Sequence, residues 1–74
     1  MLITVARKGS KNPADALAAK YTLTCDALPG KRFGPHSFLG MRNELIVFVG
    51  LSAVEARDVL LNAWMQGVTT YSKS

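Results

Sequence analysis

The chain has 74 residues, a formal net charge of +4, one cysteine and one histidine. That length suits one domain over 1–74, and so short a chain buries only about 60% of its unfolded surface, so association is an expected further source of stability. Cys25 has no partner for an internal disulfide, and Cys25 and His36 are the only soft metal ligands, so neither a structural metal nor a cofactor is expected, and a reducing cytoplasm suits the lone thiol.

Leu2–Ala6 (LITVA) is apolar and β-branched, which predicts a strand, and Arg7–Asn12 (RKGSKN) reads as a basic loop. Asn12 as cap, Pro13 at the first helical position and Asp15 in the first turn predict a short helix over 13–20, too short to stand without packing. Tyr21–Asp26 (YTLTCD) alternates apolar and polar residues, the pattern of a half-buried strand. Pro29-Gly30 is a type II turn signature, and a short hairpin arm at Lys31–Phe33 can follow it. The wider stretch Leu28–Asn43 (LPGKRFGPHSFLGMRN) has three cations and no carboxylate, and otherwise reads as a long ordered connection. Glu44–Val49 (ELIVFV) is the strongest strand signal. Ser52 and Glu55 form a capping box that opens a helix over 52–66, Gly67 is its stop, and Val68–Ser72 closes the chain as a strand.

These elements predict an α+β two-layer sandwich. Its sheet is mainly antiparallel, of about four strands in β-α-β-β-α-β order, packed by the main helix 52–66 and the short helix 13–20. Two arrangements compete. In the favoured one, a split βαβ, both helices are crossovers. In the other, the first two strands pair antiparallel and only Ser52–Gln66 is a proper helix.

On helix 52–66 a narrow polar stripe (Glu55, Asp58, Asn62, Gln66) leaves an apolar arc of roughly 200°, interrupted by Arg57, about twice what one sheet covers. Leu45–Val49 is apolar on both faces as a strand. Both features predict an exposed apolar patch for a partner or a second copy. A competing reading folds Leu28–Asn43 over the open side of the sheet, with Phe33, Phe38 and Leu39 as cover.

Residues 1–42 carry seven cations against two carboxylates, whereas 43–74 carry two against three. That asymmetry favours an acidic partner on the N-terminal half, although cations also keep a small protein in solution. The longest apolar run is too short to span a bilayer, and Arg7 and Lys8 interrupt the apolar start, so neither a membrane segment nor a secretory leader is expected.

Catalysis is not expected. A Ser/His or Cys/His pair would have to use His36, and nothing around His36 supports one. Glu55 and Asp58 lie on the solvated helix face, and "PGKRFG" lacks the glycine spacing and the Ser/Thr of a phosphate-binding loop.

The sequence therefore predicts a non-enzymatic interaction or regulatory protein, cytoplasmic and dimeric, docking on a protein partner with an acidic surface. Inhibitors of host factors carried by phages and mobile elements are often small modules of this kind. The candidate partner-binding residues are Lys31, Arg32, Phe33, His36, Phe38, Arg42 and Trp64, since aromatics and arginine dominate interface energies. The alternative is a sequence-tolerant RNA or single-stranded DNA binder using Arg7, Lys8, Lys11, Lys31, Arg32 and Arg42, with Phe48 and Tyr71 sharing a sheet face for base stacking. The pI of about 9.7 fits this, but "RNELIVFV" matches the strand signature of RNA-recognition modules poorly.

Overall fold

The computed structural model describes residues 1–11 and 15–73. Strands β1 (Leu2–Lys8), β2 (Lys20–Cys25), β3 (Arg32–Ser37) and β4 (Val68–Ser72) form one antiparallel sheet in the order β3-β2-β1-β4. Helix α1 (Phe38–Glu44), its continuation Leu45–Val49 and helix α2 (Ala53–Gln66) join β3 to β4 and pack on one face of the sheet. The architecture is the α+β two-layer sandwich expected from the sequence.

The alternation of β1 and β2 creates that face. Ile3 pairs with Cys25 and Val5 with Leu23, and these four, together with Tyr21, are buried against the helices. Burial removes the Tyr21 phenol from water and pushes its pKa up, while its hydroxyl donates to the Ala16 carbonyl at 2.8 Å. The opposite face carries Thr4 across from Thr24 and Ala6 across from Thr22.

Because β1 and β2 are antiparallel neighbours, the favoured split βαβ arrangement is not the one adopted; the first two strands form the directly paired alternative. Their connection needs no crossover helix. Of the helix expected over 13–20, the described part is a single 3-10 turn, Ala16–Ala18, and Lys20 already belongs to β2. The Asp15 carboxylate caps this turn, accepting from the Leu17 and Ala18 N–H groups at 2.9 and 3.1 Å. The expected start at Asn12-Pro13 lies outside the described residues.

Pro29-Gly30 makes the expected turn, with Gly30 at φ 82° and the Lys31 N–H donating to the Leu28 carbonyl at 3.1 Å. The arm that follows runs to Ser37 and is the third strand.

Leu45–Val49 is helical, which corrects the strand expected over 44–49. A short run of five apolar residues fits a strand or a buried helix equally well, and its context decides. Ser37 supplies an N-cap, its hydroxyl oxygen accepting from the Gly40 N–H at 3.2 Å. From there the buried residues Phe38, Met41, Leu45 and Val49 recur at steps of three and four, the period of a helix face. Gly50, left-handed at φ 87°, ends the segment and donates to the Leu45 carbonyl.

Helix α2 has both of its expected ends. The capping box is closed by Ser52 and Glu55 at 2.9 and 3.1 Å, and Gly67, at φ 89°, donates to the Ala63 carbonyl at 2.8 Å.

Val47, 74% exposed in the helical segment, provides a test. Val47→Ala removes a β-branched residue from a helix and is expected to leave stability unchanged or raise it by a few tenths of a kcal/mol, up to about 0.5 kcal/mol, in urea unfolding. A loss of about 1 kcal/mol or more would instead fit a strand there.

Candidate interaction surface

Leu28–Asn43 does not fold as a loop over the open face of the sheet; Phe38 and, in part, Phe33 cover its apolar face instead, whereas Leu39 stays exposed. The stretch builds the turn, β3 and most of α1, and so belongs to the edge of the sheet and to the helix layer. The other sheet face stays open and is polar enough to do so: it carries Thr4, Thr22, Thr24, Thr70 and Ser72, with Leu2, Ala6 and Val68 between them and Lys8, Lys20 and Arg32 around them. Much of the surplus apolar surface lies on the helices. Leu39 (64% exposed), Val47, Val54 (59%), Leu61 and Met65 (62%) project from α1, its continuation and α2 into water. The over-wide apolar arc read from α2 is thus left partly uncovered.

The residues proposed from sequence separate into groups. Lys31, Arg32 and Phe33 stand together at the start of β3, the edge strand. The Phe33 ring is half-buried, 4.7 Å from the Phe48 ring in a tilted stack, and the Lys31 ammonium lies 5.6 Å from the Phe33 ring centre. Lys31 is exposed and within cation–π distance of that ring. His36, half-buried, is the register partner of Tyr21 at the far end of β3, and Arg42 sits in α1 just before its helical continuation.

Phe38 does not serve as a surface anchor. It is only 7% exposed and meets the Tyr21 ring edge-on at 6.1 Å, because the first residue of α1 points onto the sheet. Trp64 belongs to a second cluster, on the β1 side of the helix layer. The Lys11 ammonium lies 4.5 Å from its ring centre, and the Trp64 carbonyl accepts a hydrogen bond from the Arg7 guanidinium.

The base-stacking platform is not formed. Phe48 is in the helical segment, and Tyr71 points to the core side of β4, so they do not share a sheet face. Of the cations assigned to nucleic acid, Arg7 is engaged by the Trp64 and Gly9 carbonyls, whereas Lys8 faces Lys20 across the open sheet face. Sequence reading missed the pairing of Phe33 with Phe48 and the exposure of Leu39 and Val47. Both follow once Ser37 is recognised as a helix cap.

Tyr71 and Glu55 tie β4 to the start of α2. The Tyr71 hydroxyl donates to the Glu55 carboxylate, which holds the Glu55 pKa below the ordinary glutamate value, with the Ser52 capping bonds adding to the effect. The same bond pushes the Tyr71 phenol up. Among the described residues, no three His, Cys, Asp or Glu side chains gather as a metal site, no ligand-sized cavity opens, and no helix is long and apolar enough to cross a membrane. Set against protein-family models, curated proteins and solved structures, the chain matches none.

The Glu55–Tyr71 pair predicts a pH response. Its stabilising contribution is present above the ordinary glutamate pKa and is lost as pH falls through the lowered folded value. Carbon-13 NMR should show Glu55 titrating below the ordinary glutamate value, and Tyr71→Phe should move it upward. No change on that substitution would contradict the assignment.

Proposed function

We propose that this protein is a non-enzymatic interaction module that docks on a protein partner with an acidic surface, and that it works in the cytoplasm as a dimer. The observation that carries this reading is the group at the β3 edge, where the Lys31 ammonium lies over Phe33 in the stacked Phe33–Phe48 pair and Arg32, the next residue, adds charge on the open side of the same edge. A cation on a half-desolvated aromatic pair, with a second at the same edge, combines the steering and the anchoring that interfaces use. Leu39 on α1 and Val47, the neighbour of Phe48 in the helical continuation, add exposed apolar surface. Such a module regulates by occupying its partner's surface, and an inhibitor of a host factor, of the kind phages and mobile elements carry, is the form of regulation that fits.

One observation favours a second reading. The open sheet face carries Lys8, Lys20 and Arg32 with no carboxylate among its strand positions, and Lys8 and Lys20 are direct register partners. Like charges placed opposite each other disfavour the sheet, and a phosphate backbone would relieve them. This version of nucleic-acid binding uses hydroxyls and cations without base stacking.

Affinity capture from a lysate, with and without nuclease, separates the two. The first reading expects a nuclease-resistant partner that is lost by the double substitution Lys31→Glu, Arg32→Glu and by Val47→Asp, and kept by Lys8→Glu, Lys20→Glu. A partner that vanishes on nuclease treatment, with oligonucleotide affinity falling by orders of magnitude as salt rises, supports the second and overturns the first.

A further inference from the structure

The two edges of the sheet are unequal. At the β3 edge, Pro35 has no N–H to donate, the register with β2 shifts between Tyr21 and Leu23, Lys31 and Arg32 bring charge, and Phe48 packs on Phe33. Each of these obstructs the addition of another strand. The β4 edge has none of them: Val68–Ser72 contains no proline, no charge and no bulge.

The ladder shows which of its groups are free. Met1 and Lys73 exchange both main-chain bonds, at 2.8 and 2.9 Å, and the Arg7 N–H donates to the Gly67 carbonyl at 2.8 Å. Hydrogen-bonded and non-bonded pairs alternate in an antiparallel ladder, so Thr69 and Tyr71 turn their main-chain groups toward β1. The N–H and C=O groups of Val68, Thr70 and Ser72 therefore point away from the sheet, and no turn, loop or cap bond among the described residues uses them.

We infer that this edge takes β4 of a second copy of the chain, giving a continuous eight-stranded sheet. This rests on the dimeric part of the reading above and names its contact. The outward groups fix the register. A two-fold axis at Thr70 places Thr70 opposite its own copy and Val68 opposite Ser72 of the second copy, closing about six main-chain hydrogen bonds. The pairing is uncharged at its centre and brings threonine against threonine, a favourable cross-strand pair. It also continues an existing row, because Arg32, Thr24, Thr4 and Thr70 already lie opposite one another across the four strands. A five-residue edge buries less than a standard interface, so the association is weak and depends on concentration.

Sedimentation of the full chain over a concentration series, with circular dichroism to verify folding, tests the inference. Wild type is expected to pass from monomer to dimer, and Thr70→Lys, which sets two cations against each other at the axis, to self-associate about tenfold more weakly or less. Thr70→Cys is expected to join two chains through a short thiol crosslinker, while Ser72→Cys, which lies off the axis, and wild type with its buried Cys25 are not. The crosslink decides if Thr70→Lys fails to fold. Monomer at every concentration overturns both the edge pairing and the dimer, leaving partner capture as the separate test of docking. A dimer that survives Thr70→Lys, or equal crosslinking through Thr70→Cys and Ser72→Cys, overturns the edge pairing alone.

Discussion

The single apolar face shared by β1 and β2 is the constraint on which the rest depends. Ile3, Val5, Tyr21, Leu23 and Cys25 all point the same way because the two strands are in register, and water must be kept from that face. The other face, with Thr4, Thr22, Thr24 and Thr70, needs no cover. Helices are therefore recruited to one side only. Helix α2 meets β1 and β4, whereas β2 and β3 need a second element, and Phe38–Val49 supplies it with Phe38, Met41, Leu45 and Val49. The same two-layer economy leaves Leu39, Val47, Val54 and Met65 in water, since no third layer covers the helices.

Local chemistry was the legible part of the sequence. The Ser52–Glu55 box, the Gly67 stop, the Pro29-Gly30 turn and the closing strand Val68–Ser72 each depend on a few adjacent residues, and each is found as read. The strand expected at 44–49 failed because its β-branched residues speak for a strand while its fate was set seven residues upstream at Ser37. That error hid part of the site. Lys31, Arg32 and Phe33 were visible as one basic-aromatic stretch, but Phe48, placed in a strand beside Tyr71, was not seen as the partner of Phe33. From sequence Phe38 reads as a surface anchor, because its direction depends on helix phase, which the stretch Leu28–Asn43 does not reveal as long as it reads as a loop. The split βαβ preference failed for a related reason, since antiparallel pairing of β1 with β2 depends on contacts between strands and not on either strand alone.

The surfaces divide by place. The guarded β3 edge and the outer side of the helix layer hold aromatic rings, cations and apolar side chains, whereas the unguarded β4 edge holds free main-chain groups and neutral side chains. Docking at the first and self-pairing at the second do not compete, because β3 and β4 are opposite edges of the sheet. Pairing through β4 would present two copies of the Lys31–Phe33–Phe48 group on one particle, and a partner with repeated acidic surfaces would be held by both.

Phe38–Val49 completes the helix layer and sets Phe48 on Phe33. Carbon chemical shifts of the backbone in solution, read with nuclear Overhauser contacts between the Phe33 and Phe48 rings, test this arrangement most directly. Helical shifts from Phe38 to Val49 and a strong contact between the two rings are expected. Extended shifts over Leu45–Val49, with cross-strand contacts to β1 or β2, would contradict it.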